Sequence, residues 1–158
     1  MGLQQVKEHL TKFNMEQQIF EHQVSTATVQ EAADALGVIP ARIAKTLSFK
    51  RDDSAILIVA AGDAKIDNAK FKAQFGVKAK MLTPDEVFHF TGHHVGGVCP
   101  FGLAFPIDVY LDESLKRFET VFPACGTANS SIELTLAQLA EISRVAAWVD
   151  VSKGWQQA

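Results

Sequence analysis

This chain has little of what often settles a small protein at a glance. Only two cysteines, Cys99 and Cys125, occur in 158 residues. Two thiols cannot build a disulfide framework, and a chain of this length buries roughly two-thirds of its unfolded surface without one. No CxxC is present, so a dithiol redox pair has no sequence signature. No apolar run reaches the ~18 residues of a membrane-crossing helix. The start, MGLQQVKEHL, lacks the apolar core of a signal peptide, and Val6 stands where a myristoylation signal needs Ser or Thr. A cytoplasmic protein with reduced thiols is expected, with no membrane partner. Positive charge is not in excess. Fifteen Lys and Arg face 18 Asp and Glu, for a net charge of −3 and a pI near 5.9. That excludes the broad basic surface of a bulk nucleic-acid binder but leaves room for a local patch. Low-complexity tracts, repeats and Pro/Gly/Ser-rich linkers are missing too, so residues 1–158 read as one domain.

What is present is a dense series of start and stop signals. Leu3, Val6, Leu10 and Phe13 recur at helical spacing and predict an amphipathic helix over residues 3–14. Residues 19–24 read as extended chain. Thr28 and Glu31 form a capping box, and Gly37 stops the helix it opens. Pro40 starts a further helical turn. Residues 46–51 and 55–61 flank Asp52-Asp53-Ser54 as a β-hairpin, and the apolar arm AILIVAA predicts a central strand. Asp67 caps a helix ending at Gly76. Thr83-Pro84-Asp85-Glu86 opens another that ends at Gly92, and Thr135 with Gln138 opens a last one running to Ser143. Residues 95–99, 105–111, 120–123, 131–134 and 146–149 are strand candidates. Helices and strands interleave irregularly, so the expected class is mixed α/β.

Three segments could carry chemistry. Lys45, in Arg42-Ile43-Ala44-Lys45-Thr46-Leu47, sits where a helical turn feeds a strand. From there a lysine can polarise a carbonyl or hold an anion, or it is a solvated strand-end residue. Residues 92–102 hold four glycines and one proline. Such a loop lets backbone approach a ligand, or it is a tight bend between strands. Residues 124–131 are small and hydroxylic, suited to lining a pocket or to a polar hairpin loop. His89, His93 and His94 with Glu86 raise a metal reading, but Gly92 interrupts the helix between His89 and His93, and no HExxH exists. Cys99 with His93 or His94 raises a thiol-hydrolase reading, although no helix N-terminus follows to lower its pKa. Lys65, Lys70, Lys72, Lys78 and Lys80 face only Asp67 over residues 65–80, a basic stretch that suits a phosphate backbone or a solvated helix face.

The order AKTL (44–47), VAAGDAKID (59–67), GGVCPFG (96–102) and CGTANSSIELT (125–135) resembles the YbaK/ProX superfamily. These are aminoacyl-tRNA deacylases related to the editing insertion of bacterial prolyl-tRNA synthetases. The resemblance runs from about Phe20 to Trp148. It implies a mixed, largely antiparallel twisted sheet or partial barrel wrapped by helices. It implies a hydrolase that needs no metal or cofactor and removes amino acids from mischarged aminoacyl-tRNA, with a prolyl-tRNA synthetase as a possible partner. The synthetase's catalytic domains are absent from this sequence, so a free-standing, monomeric, trans-acting editor is expected. The family's central lysine falls on Lys45, beside Thr46. Gly97 and Gly126 join it as expected catalytic-loop residues. Thr46, Gly96, Cys99, Pro100, Phe101, Gly102, Asn129 and Ser130 are the expected substrate contacts. Many members carry Ser or Thr where this chain has Cys99, which leaves the amino acid removed open. Two readings of other classes stand beside this one: a non-catalytic tRNA- or synthetase-binding module, and a Cys99-dependent hydrolase of small molecules.

Overall fold

The computed structural model describes residues 2–156. Five helices carry the signals read above. They are α1 (Gly2–Thr11), α2 (Val29–Leu36), α3 (Asn68–Phe75), α4 (Pro84–Thr91) and α5 (Leu136–Ser143). Each of α2, α4 and α5 opens on a closed capping box, formed by Thr28 with Glu31, Thr83 with Glu86 and Thr135 with Gln138. In each box a threonine hydroxyl accepts from one orphan N–H while the Glu or Gln side chain accepts from another. α2, α3 and α4 end where Gly37, Gly76 and Gly92 turn left-handed.

The strands are β1 (Phe20–Glu21), β2 (Ile43–Arg51), β3 (Ser54–Ala61), β4 (Lys65–Ile66), β5 (Asp108–Asp112), β6 (Thr120–Pro123), β7 (Ser130–Ser131), β8 (Leu134–Thr135), β9 (Ala147–Val149) and β10 (Ser152–Lys153). Six of them form a curled half-barrel in the order β8-β6-β2-β3-β5-β9. The antiparallel hairpin β2–β3 is its longest pairing, from Ala44↔Ala61 to Arg51↔Ser54. β6–β8 is also antiparallel, whereas β2–β6, β3–β5 and β5–β9 run parallel. The mixed sheet is therefore as expected, and the apolar arm of the hairpin is central. Two short antiparallel pairs, β1–β7 and β4–β10, tie peripheral segments together.

Alternation along β3 divides the core. Leu57, Val59 and Ala61 face one cluster with Val6 and Leu10 of α1 and Leu139 and Ile142 of α5. Ile56 and Ile58 face another with Phe49, Phe71 of α3 and Tyr110. Two smaller clusters seat α2 on Ile43 and Phe122, and α4 on Ala55 and Leu82.

Four expectations for local structure change. Residues 95–99 form no strand but a turn at 95–96, a bend at Gly97 and irregular chain beyond, with Gly96 at φ +98 and Gly97 against another loop. The strand expected over 105–111 starts only at Asp108. The one expected over 131–134 splits into β7 and β8, which pair with different partners. α1 stops at Thr11, and Asn14 turns left-handed at φ +57.

Candidate active site

The site is built where two strands part. β2 meets β6 only at Ile43↔Phe122 and Ala44↔Pro123. Farther along the same edge, residues 80–82 return to β2. There Lys50 N–H donates to Lys80 O at 2.8 Å, and Leu82 N–H donates to Ser48 O at 3.2 Å. Between these two seams the edge of β2 is open. Backbone groups in an antiparallel ladder alternate sides with period two. Since Ser48 O and Lys50 N–H point outward, the N–H and C=O of Thr46 point outward too, into the gap. A strand edge of this kind can take an amide- or ester-bearing ligand as an added strand takes its neighbour.

A cavity of about 390 Å³ occupies the gap. Most of its lining is apolar, with Val29 and Ala32 of α2, Val87 of α4, and Ile43, Leu47 and Phe122 from the sheet. Hydroxyl-bearing residues Thr26, Ser48, Ser130 and Ser131 complete it. Met81 and Val95 stand at the mouth, 58% and 62% exposed. The Ser131 hydroxyl lies 2.7 Å from His22 Nε2, and the Ser130 hydroxyl lies 2.6 Å from that of Thr127. Thr26 N–H donates to Ala128 O at 2.6 Å, so the segment before α2 closes over the 124–131 loop.

Lys45 lines this cavity, and its ammonium donates to the carbonyl oxygens of Gly62 and Ala64. Burial lowers its pKa, Asp63 opposes the shift and Lys65 adds to it. The result is a fixed cation in a partly desolvated cleft, where its field is weakly screened.

Both glycine loops reach the cavity, through Gly96 and through Ser130 and Ser131, but Gly97 and Gly126 sit where the backbone packs on backbone. A Cβ on Gly97 would lie 2.6 Å from Thr127 N, and one on Gly126 would lie 2.5 Å from Gly2 C. Gly102 likewise lies against Gln5 and Val6 of α1. Fully buried His93 locks the first loop: its Nε2–H donates to Phe101 O at 2.9 Å, while its backbone N–H donates to the Thr91 hydroxyl at 3.0 Å. His89 and His93 do not converge. His89 packs on Phe105 at the surface, 5.1 Å between ring centroids, and His93 lies inside.

The sequence profile of the aminoacyl-tRNA editing domain matches residues 23–142, a span that contains every residue lining the cavity. The chain belongs to the aminoacyl-tRNA editing domain family. The editing domain is 57% identical to the uncharacterized protein YwhH of Bacillus subtilis (strain 168), over 99% of this chain and 100% of that one. It is 32% identical to the proline--tRNA ligase of Bacillus pumilus (strain SAFR-032), over 68% of this chain and only 19% of the ligase. Among solved structures, a candidate trans-editing enzyme for prolyl tRNA synthetase superposes with a TM-score of 0.87 at 30% identity, covering 97% of this chain and 98% of that one.

Within the editing domain, four of the residues singled out from the sequence, Lys45, Thr46, Gly96 and Ser130, line the cavity. Gly97, Cys99, Pro100, Phe101, Gly102, Gly126 and Asn129 are not among its lining residues. Gly97 and Gly126 carry loop packing, and Asn129 is an exposed residue whose amide donates to His22 O. Cys99 is fully buried, with its thiol donating to Phe101 O at 3.4 Å. Ser48 and Met81 reach the site without having been singled out, and Ser131 comes with the 124–131 loop. Strand alternation from Thr46 would have found Ser48. Met81 arrives through its pairing with Phe49, far from it in the chain.

Burial pushes the Cys99 thiol up to about 12 and that of Cys125 well above its ordinary value. The thiolate is the reactive form, so at pH 8 only about one Cys99 in 10⁴ is nucleophilic. Native protein should resist alkylation by iodoacetamide at pH 8, and both thiols should react once urea unfolds it. Rapid labelling of Cys99 in the native state would revive the thiol-hydrolase reading.

Proposed function

We propose that this editing domain acts in trans as a hydrolase of mischarged aminoacyl-tRNA, cleaving the ester between the amino acid and the terminal ribose. The observation that carries this reading is the fixed ammonium of Lys45 at a cavity floored by an open strand edge, within a family of tRNA editing domains. An aminoacyl ester is already reactive, so orientation and charge stabilisation suffice to speed its hydrolysis. The N–H of Thr46 faces the gap as a donor for the ester carbonyl or amino-acid end, and Lys45 supplies positive charge nearby. The attacker is water or a group of the substrate itself, and neither a metal nor an enzyme nucleophile is required. The likeness to a candidate trans-editing enzyme and to parts of proline--tRNA ligases supports a substrate charged on proline tRNA.

The cavity wall sets the cargo by size, and one methylene in such a wall is worth only ~1–3 kcal/mol. A small side chain fits the space beside Ala32, Ala44 and Val29 best. The tRNA body is held weakly. Of the nearby cations, Lys50 is paired with Glu86 and Lys70 with Asp150, whereas Lys65, Lys72, Lys78 and Lys80 are exposed for phosphate contact. With a net charge of −3, the affinity should fall steeply as salt rises. Free protein, cytoplasmic and monomeric in this reading, is then assisted by a synthetase that holds the tRNA.

The deciding experiment is a panel of proline tRNAs mischarged with small amino acids, assayed for loss of the ester. Clearance of at least one small amino acid, with Pro-tRNA spared, is expected. Saturable binding with no ester loss on any member would favour a binding module instead.

A further inference from the structure

The Lys45 ammonium is held by a loop rather than by a carboxylate, and what holds that loop comes from a distant part of the chain. Gly62 and Ala64 offer their carbonyl oxygens to the ammonium, and Asp63 stands between them in sequence. Asp63 faces away into a two-pronged bond with Arg117. Arg117 Nη2 donates to Asp63 Oδ1 at 2.6 Å, and Nη1 donates to Oδ2 at 3.0 Å. Such a fork fixes the carboxylate in direction as well as distance. Arg117 holds Asp63's carboxyl below its ordinary range.

The guanidinium is fixed in turn. Its Nε donates to Ser114 O at 3.0 Å, and its centre lies 4.9 Å from the Phe118 ring centroid and 5.0 Å from that of Trp155. Ala61 N–H donates to the Ser114 hydroxyl at 3.0 Å, so the same turn also grips the start of the Lys45 loop. Trp155 is placed by its own chain of bonds. Its indole donates to the Ser152 hydroxyl at 2.8 Å, which donates to the fully buried carboxylate of Asp112. That carboxylate also accepts from the N–H groups of Ser114 and Val151, each at 3.0 Å. Both arms of the clamp therefore start from Asp112. Trp155 lies beyond residues 23–142, the span matched by the family.

We propose that Arg117, gripped by Trp155 and Phe118, is a positioning residue for Lys45: by fixing Asp63 it presents the Gly62 and Ala64 carbonyls that hold the ammonium in the cavity. The proposal rests on Lys45 as the working cation of the site. A surface ion pair needs no such apparatus, since exposed pairs contribute little to stability. A loop that must aim two carbonyls at one ammonium does, because a misplacement of about 1 Å at a reacting group can cost about 100-fold in rate.

Two measurements test the clamp, and one does not depend on catalysis. The charges whose fields act on the Lys45 ammonium are Asp63, which stabilises it even while turned to Arg117, and Lys65, which opposes it. Removing the anion with Asp63→Asn leaves the ammonium less stabilised, so Lys45 loses its proton at lower pH. Competitive acetylation with acetic anhydride, read at Lys45 by mass spectrometry against exposed Lys72, should show its midpoint moving down by about 0.5–1 pH unit. In parallel, Arg117→Gln should lower the deacylation kcat about tenfold with KM changed less than about twofold, and Arg117→Lys should restore only part, because it keeps the charge and loses the fork. An unmoved Lys45 labelling profile in folded Asp63→Asn overturns the clamp, as does wild-type kcat in Arg117→Gln when Lys45→Ala is inactive. If Lys45→Ala itself deacylates at the wild-type rate, the functional reading of Lys45 fails, and the labelling profile still decides whether Asp63 governs its charge.

Discussion

Lys45→Met is expected to cut the deacylation rate by about 100-fold or more while leaving the fold intact. The magnitude is that of removing one preorganised charge donor from a reacting carbonyl. Methionine keeps most of the aliphatic stem, so the loss reports the ammonium and not the packing of the side chain. Lys45→Arg keeps the charge, but a planar fork does not match two loop carbonyls aimed at one compact ammonium, and intermediate activity is expected. The pH dependence adds a second signature. The ammonium is the working form, so the catalysed rate falls as pH rises through the Lys45 pKa. Burial places that pKa below the ordinary value of 10.5. The fall therefore begins at lower pH than for an exposed lysine. Spontaneous ester hydrolysis accelerates over the same range and must be subtracted. In Lys45→Met the alkaline fall should vanish. A variant that retains wild-type kcat, or one that keeps the same alkaline fall, would remove Lys45 from the chemistry.

The position of Lys45 was legible because its neighbours are local. Pro40 starts a helical turn, Ile43 begins β2, and the lysine follows two residues later. Helix ends were legible for the same reason. A capping threonine and its Glu or Gln partner are three residues apart, so Thr28, Thr83 and Thr135 announce themselves. The cavity was not legible, because it is a gap between strands rather than a property of any segment. It exists because β6 leaves β2 after Ala44 and Met81 meets β2 at Phe49, so its two borders come from segments far apart in the chain. Ser131 enters only because β7 pairs with β1, which also delivers His22. Glycine misled in one specific way. Its presence at 97 and 126 correctly signals close approach, but a missing side chain does not say what fills the space. Here the filler is backbone. Cys99 misled similarly, since a small thiol reads equally well as a pocket wall or as core, and it proved to be core.

Gly97→Ala should therefore be among the most damaging single substitutions in the chain, through stability rather than substrate affinity. Its Cβ would meet Thr127 N at 2.6 Å and the carbonyl carbons of Gly126 and Thr127 at 2.7 Å. These are backbone atoms of a loop that is itself pinned. Gly126, at φ +93, abuts Gly2 of α1, and Thr127 bonds to Ser130 and Asn129. Nothing at the contact is the movable end of a long side chain, so the loops must separate or α1 must shift. Overpacking of this kind costs about 3 kcal/mol, and at about 2–4 °C per kcal/mol the melting temperature should fall by about 6–12 °C. Gly76→Ala provides the contrast. Its Cβ would meet nothing within 4 Å, and only the left-handed φ of +76 is strained, for about 1 kcal/mol. Thermal unfolding of the two variants separates the possible roles of the loop. A glycine kept bare for a ligand would melt normally at Gly97→Ala and raise KM alone. A glycine kept bare for its neighbour's backbone lowers the melting temperature first, and the surviving folded fraction binds substrate with nearly unchanged KM, because Gly97 does not line the cavity.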